Sequence, residues 1–167
     1  TNTHDPEDLG YMVIAADATD TNGTIDFETD KTGDVVRGYS DAHIIESFTN
    51  TYTAAPLVVS SQVAMDGVEG SWPMLDAVTT TQITVYVDED QTLDTERSHT
   101  TEDYFYVTFS EAGSLTLRDQ TFLENPVTVT LQNSYTNPIV VTAPYFTNDL
   151  RSPASIRVYD VTGSTFT

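Results

Sequence analysis

Cysteine is absent from the 167 residues, which excludes disulfides, thiolate catalysis and Cys-ligated zinc. Stability must then come from core burial, from association or from metal. Basic residues are nearly absent too. Six of them against 26 acidic ones give a formal charge of −20, and Lys31 is the only lysine. A surface this acidic repels phosphate backbones and anionic lipid, which argues against nucleic-acid and membrane-surface partners. Long apolar runs are missing. The longest, such as Met12–Ala16 and Pro56–Val59, fall far short of the roughly 20 residues that a membrane-spanning helix needs. No basic, apolar leader opens the chain, so an exported form is expected to have lost its signal. Serine-nucleophile motifs, phosphate-cradling glycine loops and His-Glu-x-x-His helices are absent as well. No catalytic residue is assigned, and the chain is not expected to be an enzyme.

What is present speaks for a packed fold. Nine Tyr and seven Phe stand among many Val, Ile and Thr, too apolar a set for a disordered acidic chain. Two reasons for the charge remain. One is a high-salt habitat, where about 1 M salt screens repulsion to within ~3 Å; the other is binding of divalent cations. Lysine scarcity with Asp exceeding Glu resembles the proteins of salt-adapted archaea.

The chain repeats itself. Phe48-Thr49-Asn50-Thr51-Tyr52-Thr53, followed by Pro56-Leu57-Val58-Val59, parallels Leu131-Gln132-Asn133-Ser134-Tyr135-Thr136, followed by Pro138-Ile139-Val140-Val141. Downstream, Val78-Thr79-Thr80-Thr81-Gln82-Ile83-Thr84 parallels Val161-Thr162-Gly163-Ser164-Thr165-Phe166-Thr167. Both matches share one offset, 83 residues, at Asn50/Asn133 and at Val78/Val161. Repeats at such a period are the mark of stacked modules. A third match joins His99-x-x-Glu102-Asp103-x-x-Tyr106-Val107 to His4-x-x-Glu7-Asp8-x-x-Tyr11-Met12 near the chain's beginning. The first residues thus read as the tail of a module, and the last as a module without its tail.

The segments alternate with period two, as half-buried strands do. Ile83, Val85 and Val87 face one way while Thr84 and Tyr86 face the other; Phe105/Val107/Phe109, Val127/Val129/Leu131 and Ile139/Val141 alternate likewise. Threonine and valine suit a pleated surface, and Asn22-Gly23, Asp66-Gly67, Gly70, Asn137-Pro138 and Gly163 punctuate the runs as turns. Only Ser40–Glu46 offers room for a short helical turn. The expected fold is all-β, with tandem antiparallel β-sandwich modules. Its parts are a module tail over 1–16, an acidic linker over 17–34, a complete module over 35–113 and an incomplete one over 114–167.

The pattern Phe48, Tyr52, Pro56-Leu57-Val58-Val59, Val78 to Ile83, His99, Glu102 and Tyr106-Val107 resembles repeats of large secreted prokaryotic proteins. These in turn look like the six-stranded H-type lectin sandwich. The resemblance covers 35–113 and part of 114–167, and implies an extracellular β-sandwich. It carries over no sugar-contacting residue.

Several residues invite a functional reading. Asp20, Asn22 and Asp26, with Gly23, resemble the middle of a calcium loop, although Ala18 stands at the first ligand position and Thr29 at the bidentate one. A plain acidic turn is the competing reading. Asn22-Gly23-Thr24 is also a glycosylation sequon, and a glycan on Asn22 would remove that ligand. Asp88, Glu89 and Asp90, with Asp94 and Glu96, form a carboxylate loop that suits either a hard cation such as calcium or plain solvation. His99 with Glu102 suggests acid–base work, but His4 with Glu7 repeats the pair, as a recurring structural element would. Trp72 stands beside Gly70 on a connection, either stacking on a sugar or anchoring the end of the sandwich.

The expected role is a structural subunit of an extracellular filament or surface fibre. Its copies join head-to-tail, with residues 1–16 of one completing the open module of the next through His4, Glu7, Leu9, Tyr11 and Val13 against the strand that holds Phe166. A window of one long repeat protein and a self-closed chain fit the same arithmetic. The alternative from another class is a carbohydrate-binding adhesin module.

Overall fold

The computed structural model describes residues 11–15, 18–20, 25–89, 91, 95–110, 126–131, 133–144 and 156–167. Among them there is no helix; every regular element is a strand. The strands are β1 (Thr19–Asp20), β2 (Phe27–Val36), β3 (Ile44–Ser47), β4 (Leu57–Gln62), β5 (Ser71–Val78), β6 (Gln82–Glu89), β7 (Glu102–Phe109), β8 (Val129–Thr130) and β9 (Thr165–Phe166). All named strand pairings are antiparallel. One sheet runs β1-β2-β7-β4, a second β3-β6-β5, and β8 pairs with β9.

The first two sheets share one core. Val36 of β2, Val58 of β4, Leu75 of β5, Ile83, Val85 and Val87 of β6, and Tyr104 and Tyr106 of β7 make a single buried cluster. On β6 the expected alternation holds, because Tyr86 turns to the opposite face and packs with Met74, Tyr39 and Trp72. On β7 the face that meets this core carries Tyr104 and Tyr106, while Phe105 and Phe109 are only half-buried. Tyrosine rings fill a core as well as phenylalanine does. The neighbours of that face, Glu102 and Thr108, find hydrogen-bond partners inside, so their polarity is no bar to burial.

Two expectations need correction. Residues 17–34 are not a linker throughout, since β2 begins at Phe27 and lies between β1 and β7. Its charges are tolerated because Asp34 is exposed, Lys31 pairs with Asp103 at 2.6 Å, and the buried Glu28 accepts N–H groups from Asn50 and Thr49. Ser40–Glu46 forms no helical turn: a turn closes from Asp41 N–H to Gly38 C=O, and β3 starts at Ile44. After Val36 the chain crosses between sheets, with the Arg37 carbonyl accepting from Val87 N–H.

The 83-residue repeat is visible in hydrogen bonds. Glu46 pairs with Ile83 and Ser47 with Gln82, and 83 residues on, Val129 pairs with Phe166 and Thr130 with Thr165. The Thr79 hydroxyl accepts from Thr81 and Gln82 N–H groups at 3.2 and 3.1 Å. The Thr162 hydroxyl accepts from Ser164 and Thr165 at 3.2 and 2.9 Å. Phe48 N–H donates to Thr81 C=O as Leu131 N–H does to Ser164 C=O, both at 2.8 Å. Tyr52 reaches Thr80 as Tyr135 reaches Gly163.

The surroundings differ. Tyr52 is 5% exposed and Val58 6%, whereas their counterparts Tyr135 and Val141 are 43% and 42% exposed. The later segment leans on the first core instead. Pro144 C=O accepts from Leu75 N–H on the edge strand β5, and Ala143 packs on the core cluster.

Candidate functional site

At one end of the two sheets, β6 finishes in Asp88 and Glu89, and β7 begins with Glu102. The connection between them brings Arg97 and His99 back over the same end. Asp88 and Arg97 form a bidentate pair, Nε to Oδ1 at 2.9 Å and Nη2 to Oδ2 at 2.7 Å. The guanidinium lies 3.8 Å over the Tyr39 ring, which adds a cation–π contact. Asp88, expected as a cation ligand, therefore has both oxygens engaged by Arg97. A buried carboxylate needs such a partner, or hydrogen bonds in its place, to offset its desolvation.

His99 bridges two carboxylates. Its Nδ1 is 2.9 Å from Glu89 Oε1 and its Nε2 is 3.0 Å from Glu102 Oε1, with all three residues buried. Burial alone would push the His99 pKa down, but the hydrogen bonds and charges of Glu89 and Glu102 outweigh it and hold the imidazole above its ordinary range. Glu102 is held below the usual carboxylate value. Burial works against this, and N–H bonds from Gly67 and Asp66, then His99 and Gln62, prevail. The same Glu102 oxygen receives both loop N–H groups, at 2.9 Å from Asp66 and 3.2 Å from Gly67.

Two glycines permit this packing. A Cβ on Gly67 would stand 2.3 Å from the His99 ring, and one on Gly38 would stand 2.4 Å from Arg97 C=O. Glu69, from the β4–β5 connection, completes the region: it, Glu89 and Glu96 each bring a carboxylate oxygen within 4.8 Å of the other two. His99 and Glu102 are thus parts of a buried hydrogen-bonded lock that joins the end of β6, the start of β7 and the β4–β5 connection. Sequence reasoning picked out His99, Glu102 and Asp88. It missed Arg97 and Gly67, though an arginine in so acidic a chain and a glycine in the Asp66-Gly67 turn were signals.

The residues expected to serve assembly fall in two groups, those outside the described residues and those within them. His4, Glu7 and Leu9 lie outside the described residues. Tyr11, 69% exposed, and Val13, 84% exposed, belong to no strand of the described residues. Just after them the chain is fastened to β2: the Thr29 hydroxyl donates to Ala15 C=O at 2.6 Å and accepts from Ala18 N–H at 3.0 Å. Phe166 is half-buried on β9, opposite Val129.

The other expected residues are dispersed. Asp20 pairs through its backbone with Phe27, and Asp26 bonds through its N–H and C=O to Ser110. Asn22 and Asp90 lie outside the described residues. Trp72 is in strand β5 rather than on a connection, paired with Asp88 and half-buried against Met74 and Tyr86. One side of it helps line a cleft with Ser60, Ser61, Thr142 and Pro144. Among the described residues no helix is long and apolar enough to cross a membrane. No protein-family model, curated protein or solved structure matches the chain.

Proposed function

We propose that the protein is a structural building block of an extracellular fibre, made of β-sandwich units that complete one another by strand addition. The observation that carries this reading is the contrast between the two copies of the hairpin. β8–β9 keeps the register and turn bonds of β3–β6, yet the side chains that match Tyr52 and Val58 are open to solvent at Tyr135 and Val141. In the first unit β7 supplies much of the cover: the Tyr52 hydroxyl bonds to Thr108, and Tyr104 and Tyr106 fill the core.

The segment from Glu7 to Ile14 has the sequence to play the part of β7 for a preceding unit. His4 and Glu7 match His99 and Glu102; Leu9, Tyr11 and Val13 match Tyr104, Tyr106 and Thr108, the face of β7 that is buried. Exposed Tyr11 and Val13 are available for that insertion, and burying each is worth about 1.5–3 kcal/mol. Main-chain ladders provide the rest, as in other strand-addition contacts. A head-to-tail contact that does not close builds a filament. One position departs from the pattern. Leu150, outside the described residues, stands 83 residues after Gly67, the position at which a Cβ would meet the His99 ring in the first unit.

The carbohydrate-binding alternative rests on Trp72 and its cleft. The indole Nε1 is buried and the ring packs on Met74 and Tyr86, which favours an anchoring role. Negative-stain electron microscopy of the chain in high salt, beside a version lacking residues 1–16, tests the proposal. Fibres from the full chain and particles from the truncated one are expected. Compact monomers from both would overturn it, and glycan-array binding lost on Trp72→Ala would then favour the lectin reading.

A further inference from the structure

The carboxylates of Glu69, Glu89 and Glu96 come from three separate segments: the β4–β5 connection, the end of β6 and the β6–β7 connection. Acidic side chains gather often without consequence. Here a second feature stands apart from their number. Glu89 is 3% exposed in its side chain; His99 takes its Oε1, and its Oε2 is buried with no hydrogen-bond partner. A carboxylate oxygen shut away from water and from donors is costly unless a further partner completes it.

We infer that Glu69, Glu89 and Glu96 hold a calcium ion. Oxygens sharing one calcium at about 2.4 Å lie no more than about 4.8 Å apart, the limit within which these three fall. Three carboxylates with no nitrogen or sulfur donor suit a hard cation rather than zinc. The irregular origin of the ligands suits calcium better than magnesium, which demands a near-ideal octahedron. Water fills the remaining positions beside the exposed Glu96.

The ion ties elements together. Glu89 already links through His99 to Glu102, and Glu102 holds Asp66 and Gly67 of the loop that carries Glu69. Calcium closes this chain of contacts into a ring around the sheet ends, a cross-link for a protein without disulfides.

The test uses the full chain, stripped of metal, titrated with CaCl2 by calorimetry in about 1 M NaCl so that loose counterion binding is screened. One saturable site is expected, with a dissociation constant of about 0.1–1 mM, as in extracellular calcium modules. Glu69→Gln and Glu96→Gln, both at accessible positions, are expected to weaken it at least about tenfold, since each removes one charged ligand. Circular dichroism of both metal-free variants should match the wild type, which separates lost binding from lost folding. Calcium should also slow amide exchange across residues 63–70 in the wild type and not in Glu69→Gln. No saturable binding by the wild type, or wild-type affinity in both variants, would overturn the assignment.

Discussion

Glu28 shows how a single side chain can be both a cost and a clasp. It is buried in the second strand of the first sheet and receives N–H bonds from Asn50 at 2.6 Å and Thr49 at 3.2 Å. Burial raises its pKa above the ordinary 4.5; the bonds from Asn50 and Thr49 oppose the rise, and the charge of Asp30 adds to it. The folded state therefore keeps its proton at pH values where the unfolded chain has lost it. Folded protein binds more protons in that window, so this group's contribution to stability falls as pH rises from 4.5 through the raised value. Glu28→Gln removes the titration and one acceptor. Denaturant unfolding of both proteins should show wild type ahead by about 1–2 kcal/mol, with the gap widening toward acid. A gap that stays flat with pH would mean that Glu28 does not titrate differently on folding.

At the scale of the element, the sequence was most readable where local chemistry repeats and least readable where polar groups are satisfied from afar. The Thr79 and Thr162 turns could be seen as equivalent because their hydrogen bonds are made within four residues. β6 was legible by its Ile83, Val85, Val87 alternation. β2 was not, since Glu28, Asp30, Lys31 and Asp34 read as linker until Asn50, Thr49 and Asp103 arrive to meet two of them. The lock at the sheet end was half legible. His99 and Glu102 lie three apart and stood out, but Glu89, Arg97 and Gly67 join them only through the fold. Thr79→Ala removes the acceptor for two turn N–H groups and should cost about 1 kcal/mol in the main unfolding transition. Thr162→Ala deletes the same bonds under a more exposed cover. It should speed amide exchange at Ser164 and Thr165 and leave the main transition in place. Equal shifts from both would mean that the two hairpins already share one cooperative core.

For the molecule as a whole, charge would set the conditions of the proposed assembly. In the fibre proposed above each added copy would bring −20, and the segment proposed to insert carries Asp5, Glu7 and Asp8 of its own. In dilute buffer that repulsion reaches tens of ångström, and at about 1 M salt it fades within ~3 Å. The attractive part behaves differently. Burial of Leu9, Tyr11 and Val13 and a ladder of backbone bonds act only at contact and are hardly screened. Raising salt should therefore lower the protein concentration at which fibres appear, steeply at first and then hardly at all beyond about 1 M. Sedimentation of polymer across a NaCl series measures this. A Tyr11→Asp variant, which puts a charge where the strand must bury a ring, should stay in the supernatant at every salt concentration. Were Tyr11→Asp to sediment with the wild type, another surface would be joining the copies. Were wild type to polymerise equally well in dilute buffer without divalent cations, repulsion between subunits would not be what governs assembly.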